Sequence, residues 1–385
     1  MSQRTILCFA GDTWEGNPHS RHHLMRRFAR TGWNVLFVEG IPMRSVVADG
    51  RNELRRVAAK LRAPAGTRTV EDRLHVLRPL PIPPTGEPGR RAQLAMLRLQ
   101  IGWTRRRLGL NGPTVAWYSL PNAAPLMGRL GETGSILYYQ DRYDAFSHVD
   151  GEHLRACLER LATECQVTVA SAGGLADDLR ALGASPAVVP HGVDLDHFTL
   201  DGRPSPRDLD GLERPLIGHV GLIDDYVSFP HLLAVADALE HGTVVLVGGA
   251  NVDVQPLEAH PRIALLPQRP YADMPAYLHA FACCLVPFAL NRLTAGVNPI
   301  KLREYLAAGR PIVATPMPEL VGYGDVVTLA ESPHAFARAV LAALAPENDT
   351  PESRRQRRDR VARESWDVVA ARIEPLLIGL LNGAA

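Results

Sequence analysis

Short apolar runs, closed by Gly, Pro, Asn or Asp, recur along the chain with helical stretches between them. In the first half they fall at residues 4–10, 34–39, 74–77, 114–118, 135–139, 166–169 and 187–189. Residues 21–30 carry apolar positions at helical spacing, and helices are expected between most of the other runs. Strands that are apolar at nearly every position and alternate with helices predict a parallel sheet covered on both faces. A second series follows at 215–221, 244–247, 263–266, 283–286 and 312–314, with a further short strand at 326–329. Ligands of such sheets bind at the carboxyl ends of the strands, so loops 11–19 and 141–148 are expected to face one cleft.

The pattern breaks where Asp, Gly and Pro accumulate, at Asp201-Gly202-Arg203-Pro204-Ser205-Pro206. With 385 residues, more than one core usually organises, this divides the chain into 1–192, a hinge at 193–213, and 214–364. Residues 365–385 form an apolar helix, after an Arg-rich stretch, whose Leu376, Leu377, Leu380 and Leu381 need a surface to bury against; the N-terminal half is the natural one. Residues 79–89 are a Pro-rich break, read as a surface loop. The helix after it, 90–108, sets Arg90, Arg91, Arg98, Arg105, Arg106 and Arg107 beside Leu94, Leu97, Ile101 and Trp103. It reads either as a membrane-surface helix or, more commonly for such a pattern, as a core-facing helix with a solvated Arg face.

A net charge of +1 and 22% charged residues give no support to a general nucleic-acid or membrane field. The five cysteines are odd in number, match no metal-ligand spacing, and partly lie in apolar runs, where a free thiol acts as a small hydrophobe. Residue 4 already opens a strand, with no basic-then-apolar leader, and no run reaches the ~20 apolar residues of a membrane span. A soluble cytoplasmic protein is expected, with 90–108 as the route to any peripheral contact at the inner membrane.

Chemistry concentrates at 291–309. Asn298 fits a helix N-cap, Pro299 the first helical position, and Gly309 the stop before the next strand. A helix start presents free N–H groups and a positive dipole end, and Lys301, one of only two lysines, adds a charge in the first turn. An anion, foremost a phosphate, suits that place. Glu304, three residues on, shares its helix face. The bland alternative is a surface ion pair between the two.

Four stretches together resemble the GT-B glycosyltransferases, nearest the retaining family 4 type. They are Val189-Pro190-His191-Gly192-Val193-Asp194-Leu195-Asp196-His197-Phe198; 218–222; Arg269-Pro270-Tyr271-Ala272-Asp273-Met274; and Asn298-Pro299-Ile300-Lys301-Leu302-Arg303-Glu304-Tyr305 through Thr315. The resemblance spans about 130 residues of the second half and little of the first. It implies two Rossmann-like domains with an interdomain cleft and a C-terminal helix returning to the N-terminal domain. It further implies a nucleotide-diphosphate sugar in the second domain, with diphosphate near Gly221, Leu222, Asn298, Pro299, Ile300 and Lys301. Glu304 would then sit on the ribose, and the Arg269-Pro270-Tyr271 turn beside the base. The leaving charge would rest on Lys301 and Arg292, without metal or cofactor. Two departures stand out: Gly296 replaces the usual acid eight positions before Glu304, and an acidic turn with Asp224 and Asp225 replaces the usual basic pair after Gly221.

In the first half, Asp141 and Asp144 follow a strand and suit either an acceptor-orienting carboxylate or a helix cap. Gly11, Asp12, Trp14 and His19 form the candidate acceptor surface, with Trp14 as a platform for a sugar ring; His22 and His23 fit surface or packing positions. The expectation is transfer of a sugar, from a UDP-sugar by weak preference, to a hydroxyl of a glycan, lipid-linked or natural-product acceptor. A sugar-nucleotide 2-epimerase and a non-catalytic nucleotide-sugar binder are the alternatives.

Overall fold

The structure, a computed structural model, describes residues 4–40, 65–80, 86–146, 149–199 and 202–383. The chain forms two compact units, one of residues 1–190 with 369–385 and one of residues 191–368. In the first unit the strands are β1 Thr5–Phe9, β2 Asn34–Val38, β3 Gly66–Glu71, β4 Leu74–Arg78, β5 Thr114–Tyr118, β6 Gly134–Tyr139, β7 Val167–Ala170 and β8 Ala187–Val188. They order β3-β4-β2-β1-β5-β6-β7-β8. All neighbours are parallel except β3 with β4. Every residue of β1, β2, β5 and β6 is buried, as the apolar runs require of strands covered on both faces. Phe9 and Tyr118, on neighbouring strands, stack with ring centroids 5.1 Å apart.

The second unit carries β9 Leu216–Val220, β10 Thr243–Val247, β11 Ile263–Leu266, β12 Cys283–Val286, β13 Ile312–Ala314 and β14 Thr328–Leu329. Their order is β11-β10-β9-β12-β13-β14, parallel throughout. In each unit the chain runs outward from its first strand to one side, then crosses to the other. The order therefore reverses between β1 and β5 and again between β9 and β12, and a crevice opens at the carboxyl ends of such a pair. All five thiols are buried. Burial pushes Cys8, Cys165 and Cys283 up to about 12, which leaves them as packing groups.

Three boundaries differ from the sequence reading. Of the hinge assigned to 193–213, the described residues belong to the second unit, where Val193, Phe198 and Leu209 are buried in the core, and 200–201 lie outside the described residues. The antiparallel edge strand β3 was not anticipated, because its sequence is polar and none of its residues is fully buried. The Pro-rich break is shorter than expected, since the basic helix begins at Gly86 and runs to Arg107; residues 81–85 lie outside the described ones. The C-terminal helix Trp366–Leu381 contributes to the first unit from Val369 onward. There Glu374 accepts hydrogen bonds from Arg4 Nη2 (3.0 Å), Thr31 Oγ1 (3.0 Å) and Trp33 Nε1 (2.9 Å). Leu380 covers Gly134 so closely that a β-carbon there would lie 2.8 Å from Leu380 Cβ.

Candidate functional site

In the second unit the crossover between β9 and β12 is occupied by the loop after β12 and the helix Ile300–Ala307. The helix begins one residue later than the sequence suggested, with Pro299 rather than Asn298 at the N-cap position. Asn298 instead turns inward, because the buried guanidinium of Arg303 needs acceptors. Arg303 donates to Asn298 Oδ1 (2.5 Å), Glu364 Oε2 (2.7 Å) and the Tyr323 hydroxyl (3.0 Å). Asn298 Nδ2 in turn donates to Glu319 Oε2 at 3.4 Å. This network fixes the first turn from below. Gly309 closes the helix at φ +74°, a region costly for residues with a β-carbon.

On the opposite side of that turn, Lys301 Nζ lies 3.0 Å from Glu304 Oε2, with the lysine side chain 31% exposed and the glutamate 6%. The predicted pair is therefore present and shares one face, with the cation reaching solvent and the carboxylate set deeper. The helix is also tied to the sheet: Val220 N, at the end of β9, donates to the buried Tyr305 hydroxyl at 2.9 Å.

Sequence reasoning missed His219. Its imidazole is buried on β9 and bridges the crossover, with Nδ1 3.0 Å from the Leu285 carbonyl of β12. Nδ1 therefore holds the proton and Nε2 offers a lone pair, for which the described residues supply no partner. Burial, opposed by the carbonyl and aided by the Lys301 charge, lowers the imidazole from 6.5 to about 4, so it is neutral near pH 7. A histidine within an apolar strand two residues before Gly221 was the available signal.

The remaining second-unit candidates separate. Leu222 is exposed after Gly221, whereas Asp224 is buried and accepts from Asn251 Nδ2 (2.7 Å) and from the Asp225 backbone (2.9 Å), which makes the acidic turn a structural one. Arg292 is exposed on the loop after β12. Arg269 Nη2 reaches Asp208 at 2.8 Å and its Nε lies 3.2 Å from the Tyr277 hydroxyl, so its side chain anchors the segment before β9. Tyr271 stacks on His197, centroids 4.4 Å apart, beside an exposed Pro270.

The first unit gathers its own polar cluster past the ends of β1 and β6. Arg21, buried at the start of the helix Ser20–Arg30, ion-pairs with Asp12 and donates to Gln140 Oε1 at 3.0 Å. Beside it, desolvation raises the Asp141 carboxyl from 3.8 to about 7, against the pull of Arg21. His19 is exposed, 3.9 Å from Asp12, and Gly11 lies against Leu120. Two of the expected roles are corrected here. Trp14 is buried, packed against His22 and Phe37 beneath the Arg26 guanidinium, so its ring is not available to a sugar. The Asp144 carboxylate is 6% exposed and paired with Arg155 at 3.1 Å, so it is spent on a helix contact. Of the surface and packing positions expected for His22 and His23, the structure gives packing, and both are buried. His22 Nδ1 accepts from the His19 N–H while Nε2 faces the Thr13 carbonyl, and burial lowers it to about 3.

Comparison with known proteins bears on the second unit first. Residues 214–346 match the family described as Glycosyl transferases group 1. Residues 214–346 of the second unit are thus similar to a group 1 glycosyltransferase domain. A curated relative, the putative teichuronic acid biosynthesis glycosyltransferase TuaH of Bacillus subtilis, is 27% identical over 135 residues, and the match spans about a third of each chain (34% and 34%). Among solved structures, the sucrose-phosphate synthase of Thermosynechococcus elongatus superposes with a TM-score of 0.73 at 15% identity, covering 99% of this chain and 100% of that one. Anabaena HepE, solved with UDP and glucose, gives 0.67 at 14% identity over 97% and 99%. WaaG, a glycosyltransferase involved in lipopolysaccharide biosynthesis, gives 0.65 at 13% over 98% and 100%. These likenesses establish the GT-B fold. The helix carrying Lys301 and Glu304, the Gly221 turn and His219 all fall inside the matched segment.

Proposed function

We propose that the protein transfers a sugar from a nucleotide-diphosphate donor to a hydroxyl acceptor. The observation that carries the reading is the Lys301–Glu304 pair on the first turn of a helix at the β9–β12 crossover of a segment similar to a group 1 glycosyltransferase domain. The helix start, the Lys301 ammonium and Arg292 would meet the leaving diphosphate, the kind of fixed charge that stabilises a departing oxyanion. Glu304, set deeper and acceptor-only when ionised, suits ribose hydroxyls. Neutral His219 offers one further acceptor, at Nε2, beside the Gly221 turn. The Arg269-Pro270-Tyr271 turn is the candidate surface for the base, through backbone groups now that the Arg269 side chain is engaged elsewhere.

The reading extends to retention without a metal, in which the departing phosphate itself takes the acceptor proton and no protein nucleophile is needed. Asp141, which titrates near neutrality, would orient the acceptor hydroxyl. Preference for UDP rests on HepE, whose fold the chain shares and which is solved with UDP and glucose. The test is thermal shift with UDP, GDP, ADP and their sugars, followed by release of nucleotide diphosphate and mass spectrometry of acceptors. Stabilisation by one diphosphate and acceptor-dependent release are expected. Stabilisation by none would overturn the donor assignment, and conversion of the donor to an epimer without acceptor would assign the 2-epimerase reaction instead.

A further inference from the structure

The basic helix Gly86–Arg107 buries one line of side chains in the first unit, formed by Leu97, Ile101 and Thr104 with Leu94 beside them. At about 100° per residue, the line most distant from it runs through Ala92, Leu99 and Trp103, with Arg106 at its end. A helix on the surface of an ordinary soluble domain is polar along that outer line. Here Leu99 is 67% exposed, Trp103 53% and Met96 36%. Leu80, 53% exposed, is held against the same helix by its backbone N–H, which donates to Gln100 Oε1 at 2.9 Å. Of the ten large apolar side chains exposed among the described residues, these four lie on or against one helix.

The cations frame the apolar line. From Gly89 to Arg107 the helix has no acidic residue. Two of its arginines are engaged: Arg90 with Asp150 at 2.8 Å, and Arg105 with the Leu130 carbonyl at 2.6 Å. Arg91 and Arg98 are exposed along one flank, Arg106 beside Leu99 at the end of the outer line, and Arg107 on the other flank, its guanidinium 5.1 Å above the Trp103 ring. Among the described residues no carboxylate pairs with these four. No described helix is long and apolar enough to cross a membrane, so an apolar line edged by arginines offers contact with a surface only.

We propose that this face docks the protein on an anionic lipid bilayer. Leu80, Met96, Leu99 and Trp103 would enter the acyl boundary, with Arg91, Arg98, Arg106 and Arg107 at the phosphate level. Charge complementarity selects this occupant: a second copy would bring the same four arginines against themselves. The proposal is independent of the donor site.

Trp103 supplies its own reporter, because Trp14, Trp33, Trp117 and Trp366 are all buried. The experiment mixes the full chain with large unilamellar vesicles of phosphatidylglycerol and phosphatidylcholine, or of phosphatidylcholine alone. Sedimentation with the anionic vesicles only, weakened by salt, is expected, together with a blue shift of tryptophan emission. Trp103→Phe should abolish the shift while retaining sedimentation. Arg91→Gln with Arg98→Gln and Arg106→Gln should weaken binding on the order of a hundredfold, at about fivefold per arginine. Since every altered side chain is exposed, unchanged melting curves show that the fold is intact. Absence of sedimentation overturns the proposal, as does a blue shift that survives Trp103→Phe. A stable dimer dissociated by Leu99→Gln would assign the face to self-association and likewise overturn it.

Discussion

The two units share a strand plan but build their polar sites in different ways. At the β9–β12 crossover, Lys301, Arg303 and Glu304 belong to one eight-residue helix, which is pinned to the sheet by Tyr305. Past the ends of β1 and β6, Arg21 links Asp12 to Gln140, a residue 119 positions away. The first site is local and the second is assembled by the fold. A local site tolerates change in the rest of the unit, whereas an assembled one makes the chemistry of Asp141 depend on packing.

The largest effect expected from breaking the local site is Lys301→Ala, which should cut transfer about 100- to 1,000-fold, as loss of one donor to a developing oxyanion does, with an unchanged melting temperature. Turnover equal to wild type would remove Lys301 from the site. Arg303→Met should act on stability instead, at about 3 kcal/mol in urea unfolding, because it leaves Glu364, Tyr323 and Asn298 without their shared donor.

Arg21→Gln probes the assembled site, with about 1–3 kcal/mol of stability lost through buried groups left without their charged partner. Its sharper readout is pH. The Arg21 charge lowers Asp141, so removing it should move that carboxyl further above about 7. The rising limb of the pH–rate profile should shift to higher pH, and a profile that does not move would detach Asp141 from the reaction. The stability sign follows: Asp141 keeps its proton in the native state where the unfolded chain, near 3.8, has lost it, so its burial costs stability as pH rises from about 4 to 7.

The smallest effect is expected for His219→Phe, about 1 kcal/mol for the bond to Leu285, with a raised donor KM and little change in kcat. Here the sign reverses. The native imidazole stays neutral down to about 4 while the unfolded one gains a proton below 6.5, so wild-type stability falls on acidification through that window. The Phe variant should lose that part of the slope, as read by chemical denaturation at pH 5 and pH 7.

The difference between the sites also explains what was readable from the chain. Apolar runs revealed thirteen of the strands, most of them buried and the edge strands β8, β11 and β14 still mostly apolar in sequence, whereas β3 escaped because it is a polar edge. Lys301 and Glu304 were legible because helical spacing alone places them together. Arg21 was not, since nothing near it in sequence names Asp12 or Gln140 as its partners. Trp14 misled for the same reason: its loop position suggested exposure, and only the approach of Phe37, His22 and Arg26 buries it. Asn298 read as a cap until the needs of Arg303, five residues later, claimed its oxygen.

The helix Trp366–Leu381 has a bearing on how the molecule is made. Arg4, Thr31 and Trp33 are translated 370, 343 and 341 positions ahead of their common acceptor, Glu374, and the leucine that covers Gly134 comes later still. The first unit therefore waits, with that flank uncovered, while residues 191–368 of the second unit are produced, and translation of the helix Trp366–Leu381 closes it. Assembly of the two Rossmann-like units is thereby nested: the one begun first is finished last.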